Sequence, residues 1–167
     1  MKLLALDPGT TETGFVLMDG YKPVDFGKVS NDYMMDKIRE VAIGNDNLIV
    51  VIEKIESYGI KVSESIFTTI FWCGRYWQLS VSLGLKPYWI TRRAVKSNLC
   101  KGKVFKTKSW DSKIRQALID RFGVVGTKGN QGFFYGFKAD CWAAFAVGVT
   151  HLDKSTVKYK LKRRVHN

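Results

Sequence analysis

Cysteine, histidine and proline are all scarce in this chain, with three, two and three copies among 167 residues. Cys73, Cys100 and Cys141 are odd in number and far apart, and His151 and His166 are the only histidines. Neither a disulfide framework nor a zinc cluster can be assembled from them, so the cysteines read as reduced and structural. Any metal must then be held by carboxylates, which favours Mg²⁺, with Mn²⁺ as a substitute. Long apolar runs are missing as well. None reaches the roughly 18 residues of a membrane span, and Met1–Leu6 is too short for a secretory leader, so a soluble cytoplasmic protein with no membrane partner is expected. Internal repeats, linkers and low-complexity segments are absent too, which leaves one domain over residues 1–153 and a basic tail over 154–167.

Acidic residues are scarce only in the second half. Residues 1–85 hold eight Lys or Arg against eleven Asp or Glu, whereas residues 86–167 hold nineteen against four, and the whole chain carries a net +12. A basic half of this size implies a polyanionic partner. The 46% apolar content excludes a disordered polycation and is enough for a sizeable core.

Leu3–Leu6 and Gly14–Met18 read as strands on either side of a DPGTTET turn, with a third near Val24–Val29 after Asp19-Gly20. Ser30 or Asn31 can cap a helix through about Ile43, closed by Gly44, and Leu48–Ile52 is a strand apolar enough to be buried on both faces. Ser63–Leu83 predicts a long helix with aromatic residues on more than one face, where Trp72, Tyr76 and Trp77 belong to the core or to a subunit contact. Lys86–Ile90 is a fifth strand and Trp110–Phe122 a helix. A glycine-rich loop over Gly123–Gly136 then leads into a largely apolar helix over Lys138–Leu152. This order describes an α/β fold, a mixed five-stranded sheet that begins antiparallel, continues through helical crossovers and is flanked by helices.

Three acids interrupt apolar structure: Asp7 ends the first strand, Glu53 ends the fourth, and Asp140 lies in the first turn of the last helix. A lone buried carboxylate costs several kcal/mol unless it is paired or metal-bound, so three beside apolar runs call for a shared cation. Ala144 and Gly148, four and eight residues after Asp140, would let that helix approach the sheet closely. Carboxylates from separate elements can hold two divalent ions about 3.5–4 Å apart for in-line phosphoryl displacement, a chemistry that needs neither histidine nor cysteine.

LALDPGTTETGF resembles the opening of RuvC-type Holliday junction resolvases, VIEKIESYG resembles their second acidic motif, and ADCWAAFAVGVTH resembles their terminal acidic helix. The motifs follow the family's order over about residues 1–152. The resemblance implies an RNase H-like fold, a homodimer, and Mg²⁺-dependent nicking of two strands of a four-way DNA junction, with two ions per site held by Asp7, Glu53 and Asp140. The chain's divergence and small size are similar to bacteriophage-encoded versions. Two positions depart from the pattern. Where the family carries a further metal ligand one turn before the last Asp, this chain has Phe137, so either Glu56 or a water supplies that ligand or the second metal is weak. Where the family places an aromatic wedge, this chain has Glu56, with Tyr58 the nearest substitute for DNA contact.

Seven of the eighteen residues in TRRAVKSNLCKGKVFKTK are basic. Arg92, Arg93, Lys96, Lys101, Lys103, Lys106 and Lys108, with Lys113 beyond them, are the candidate DNA-backbone contacts. Phe133, Phe134 or Tyr135 in the glycine loop either stacks on an unpaired base or makes the loop's core contact. The DPGTT turn is also similar to the phosphate turn of actin-like ATPases. That class needs a second domain and a second glycine-rich turn, which this chain lacks, so no nucleotide cofactor is expected. Two alternatives stay open: an RNase H-like nuclease for other branched DNA or DNA–RNA hybrids, and a junction-binding protein that does not cleave.

Overall fold

The computed structural model describes residues 1–56, 59 and 63–165. Strands β1 (Lys2–Pro8), β2 (Glu12–Asp19) and β3 (Lys22–Ser30) form an antiparallel meander. Helix α1 (Asn31–Ala42) leads to β4 (Ile49–Lys54), and α2 (Glu64–Ser82) leads to β5 (Lys86–Thr91). Both of these strands are parallel to β1, giving the order β3-β2-β1-β4-β5. Helices α3 (Arg92–Cys100), α4 (Trp110–Phe122) and α5 (Ala139–Val165) complete the chain.

Strand alternation divides the core in two. Leu3, Ala5, Val16, Met18 and Val51 face α5, α3 and α4, while Leu4, Leu6, Phe15, Val50 and Ile52 face α1 and α2. Asp7 and Glu53 continue the first alternation. They therefore emerge on the α5 side at the C-terminal ends of two adjacent parallel strands, the place where open α/β sheets gather their sites.

Helix α3 lies inside the segment read from sequence only as a basic stretch. The Thr91 hydroxyl accepts from the Ala94 N–H at 3.1 Å and caps its start, and Val95, Leu99 and Cys100 are buried beneath the charges. The surrounding cations mask this short apolar stripe. Helix α5 continues past Leu152 and carries the basic tail as helix through Val165. The three cysteines are free and buried, and among the described residues no helix is long and apolar enough to cross a membrane.

The loop aromatics take the core alternative. Phe134 is fully buried, with its ring 4.4 Å from Trp142, 5.2 Å from Phe137 and 5.4 Å from Phe145. Phe133 packs on Phe122 and Phe145, and Tyr135 alone of the three is exposed.

Candidate active site

Register places the site. Asp7 pairs with Gly14 across β1–β2, and Gly14 pairs with Lys28 across β2–β3, so the three form a row on the α5 face. Gly14 leaves a gap in that row, and Asp140 fills it. A Cβ on Gly14 would lie 2.6 Å from the Cβ of Asp140 and 2.8 Å from its carbonyl oxygen. Farther along α5, a Cβ on Gly148 would overlap Met18 and approach the Ala5 Cβ to 3.1 Å. The two glycines hold the helix against the sheet and set the height of Asp140 between Asp7 and Lys28. On the other side of Asp7, Glu53 lies one residue beyond the Leu6–Ile52 pair.

The turn that presents Asp7 is clamped from behind by a buried polar cluster. Asn31 donates through its amide to the Gly9 carbonyl at 3.1 Å and through its backbone N–H to the Thr11 carbonyl at 3.0 Å. The Thr13 hydroxyl donates to the Asn31 side chain at 2.7 Å and shares a 2.8 Å hydrogen bond with the Tyr76 hydroxyl. Tyr76, Thr13 and Asn31 are all buried, so the cluster ties the first turn, α1 and α2 together.

Asp7, Glu53 and Asp140 line one cleft with Glu56, Arg92 and Asp111. The Asp7 carboxyl is held well above the usual carboxylate range, first by burial, then by a hydrogen bond with Glu53 and by that residue's charge, with Arg92 opposing. Glu53 is itself buried. Arg92 stands 3.7 Å from Glu53 and makes a close ion pair with Asp111 from the first turn of α4. Asp140 is drawn the other way. Its carboxylate lies 2.9 Å from the Lys28 ammonium, which also sits 3.0 Å from Glu12. Those two carboxylates, Asp140 first, raise the Lys28 pKa. A second small pocket shares Asp7 and Asp140 with the first and is lined by the DPGTTE turn and Lys28.

This donor set suits one hard divalent cation better than two. Asp7, half-buried, and Glu53, buried, offer adjacent all-oxygen ligands whose mutual repulsion a cation would relieve. Among the described residues, however, no group of three or more His, Cys, Asp or Glu is close enough together to hold a metal. Phe137 cannot contribute, since its ring packs 4.5 Å from Phe26 and is almost wholly buried. Glu56 lines the Arg92 side of the cleft. The expected two-ion set is therefore not matched.

The basic candidates divide between two faces. Arg92 is in the cleft, and Lys96 and Lys113 lie 4.8 and 4.6 Å over the exposed ring of Trp110, the residue before Asp111. Arg93 and Lys101 line a separate groove with Lys154. Lys101, Lys103, Lys106 and Lys108 are all exposed, the last three on the α3–α4 connection. Tyr58 lies outside the described residues. Sequence reasoning missed Lys28, Glu12 and Asp111. Asp111 could have been found as an acid in the first turn of a predicted helix, whereas Lys28 becomes visible only once the register across three strands is known.

No protein-family model matches the sequence, and neither does any curated protein. Solved structures do match. Thermus thermophilus RuvC superposes with a TM-score of 0.68 at 16% identity, covering 95% of this chain and 97% of that one. The T. thermophilus RuvC in complex with a Holliday junction substrate gives 0.66 at 15% identity, over 94% and 96%. The fold is that of RuvC, within the RNase H-like class. Coverage extends over both chains almost end to end, so the likeness is one of the whole fold. At this identity it establishes architecture.

Proposed function

We propose that this chain is a divalent-metal-dependent, structure-selective DNA endonuclease that resolves four-way junctions, nicking two strands from a homodimer. The observation that carries the reading is the meeting of Asp7, Glu53 and Asp140 in one cleft of a RuvC fold, bordered by Arg92 and the basic α3–α4 segment. A divalent ion bound there would neutralise phosphate charge and acidify a water. Asp7 and Glu53 are the residues to hold it, and Asp140 orients the water and the phosphate beside them. Arg92 would release Asp111 to bind a phosphate oxygen, since its guanidinium is already aimed into the cleft. Exposed cations along the α3–α4 connection would follow the backbone of the arms without reading sequence.

An exposed apolar patch on α2 supports the homodimer. Phe67, Ile70 and Phe71 are 63%, 46% and 61% exposed, on a helix whose opposite face carries the buried Tyr76. A two-fold dimer would present two cleavage sites to a two-fold substrate. A junction-binding protein without cleavage is the second reading, favoured by the apolar Phe137 where the family has a ligand. Labelled four-way, three-way, duplex and DNA–RNA hybrid substrates, each with and without Mg²⁺, separate the readings. Mg²⁺-dependent cutting confined to the four-way substrate is expected. Cutting of hybrids alone would move the chain to a different nuclease class, and binding without cutting would leave the second reading.

A further inference from the structure

We infer that the Lys28 ammonium stands where a second divalent ion would be, so that the site works with one metal ion and one built-in cation. This rests on the nuclease reading above and departs from the two-ion chemistry the family resemblance implies. Three observations lead to it. First, the side chain that would complete a second ion's ligand set is Phe137, sealed in an aromatic cluster against Phe26. Second, Asp140 does not join Asp7 and Glu53 in a three-carboxylate cluster but is held 2.9 Å from the Lys28 Nζ. Third, the lysine is placed by the sheet and not by chance of a flexible loop: it is the third member of the Asp7–Gly14–Lys28 row, and Glu12 holds its Nζ at 3.0 Å from the other side.

The arrangement has the logic of a two-cation site, in which a shared carboxylate lies between two positive centres. Asp140 lies between an ion-binding pair, Asp7 and Glu53, and an ammonium. One divalent ion together with the Lys28 ammonium matches the charge of Asp7, Glu53 and Asp140, and the ammonium already supplies positive charge beside Asp140. In hydrolysis the water oxygen forms the new bond to phosphorus, and the bond to the departing sugar oxygen breaks with its electron pair. The proton lost by the water matches the one gained by the sugar oxygen. Lys28 would hold the charge developing on an oxygen at its side of the phosphate by hydrogen bonding, without a net loss of its own proton.

Ion counting tests this independently of cleavage. Full-length protein bound to a four-way junction is titrated calorimetrically with Mn²⁺, and separately with non-catalytic Ca²⁺, for wild type, Lys28→Ala and Lys28→Glu. The expected counts are one ion per protomer for wild type and for Lys28→Ala, and two for Lys28→Glu, whose carboxylate joins Asp140 and Glu12. Wild-type cleavage should depend on Mg²⁺ with a Hill coefficient near one. Lys28→Ala should lose about 100-fold in rate at unchanged junction affinity, without recovery at high Mg²⁺. Two ions per wild-type protomer, or a Lys28→Ala variant that cuts at the wild-type rate, overturns the inference. Circular dichroism melting confirms that both variants fold. A wild type that binds one ion and cuts no DNA overturns the nuclease reading alone, because the ion count and the gain in Lys28→Glu still decide this one.

Discussion

Gly14→Ala puts the geometry of the site to its sharpest mutational test. The added methyl would meet the Cβ of Asp140 at 2.6 Å, its carbonyl oxygen at 2.8 Å and its carbonyl carbon at 2.9 Å. Carbon atoms settle at about 3.5–4.0 Å, so the first turn of α5 must retreat by roughly 1 Å. The atoms it meets are backbone and Cβ, which have no rotamer to change. Overpacking of this kind costs about 1–3 kcal/mol, or roughly 2–4 °C in Tm per kcal/mol at this chain length. A misplacement of about 1 Å in a catalytic group costs on the order of 100-fold in rate. Gly148→Ala is the control on the same helix. Its methyl meets the flexible end of Met18, the Leu3 Cδ2 at 3.2 Å and the Ala5 Cβ at 3.1 Å, two helical turns from Asp140. It should change Tm by a few degrees and the rate by less than about 10-fold. Single-turnover cleavage of a labelled four-way junction, with melting followed by circular dichroism, reads both. Wild-type cleavage by Gly14→Ala would refute the claim that this contact sets Asp140 in place, and equal rate losses in the two variants would reduce it to general destabilisation.

Further outcomes follow from other parts of the molecule. Because burial and Glu53 raise the Asp7 carboxyl, the metal-free protein should gain stability as pH falls through that raised value towards the ordinary 3.8; Asp7→Asn should raise the metal-free Tm and flatten this rise, as differential scanning calorimetry would show. Burial pushes the Asp153 carboxyl up, but hydrogen bonds from Arg121, Asn98 and Tyr21 outweigh it and hold it below its ordinary value of 3.8. Its contribution is therefore full above pH of about 4 and lost as pH falls through the lowered value, and Arg121→Ala should cost about 2 kcal/mol at pH 7 in urea unfolding and less in acid. Replacing Lys101, Lys103, Lys106 and Lys108 together by Ala should lower the slope of log K against log salt by up to about 0.9 for each phosphate no longer neutralised, and an unchanged slope would place the DNA elsewhere. Phe71→Glu should convert a dimer to a soluble monomer by light scattering, and a monomeric wild type that still makes paired nicks would remove the role given to α2.

What the sequence disclosed, and what it withheld, has a physical pattern. Strands β1, β2 and β4 were legible because their apolar runs are long enough to be buried, and β3 because the Asp19-Gly20 turn announces it; Asp7 and Glu53 stood out because a carboxylate directly after such a run has few inexpensive explanations. The approach of α5 was foreseeable from Gly148, whose missing side chain makes room for Met18 and Ala5. Helix α3 was hidden because only Val95, Leu99 and Cys100 face inward beneath a basic surface. Lys28 was hidden for another reason: its meaning comes from strand register, and a one-residue slip would turn it to the opposite face. Phe133 and Phe134 could be read either as stacking platforms or as core, because composition alone does not say whether a loop's aromatics turn in or out.

The proposed activity stands or falls with Asp7, Glu53 and Asp140 as the cutting centre of a junction nuclease. The most direct measurement is Mg²⁺-started, single-turnover cleavage of an end-labelled four-way junction by wild type, Asp7→Asn, Glu53→Gln and Asp140→Asn, with junction affinity measured in Ca²⁺ on the same preparations. Wild type should make paired nicks and each variant should lose at least about 100-fold in rate, with affinity preserved or tightened as negative charge is removed from the DNA-facing cleft. Wild-type-like cutting by any one of the three would take that residue out of the centre, and cutting by all three would overturn the assignment of the site.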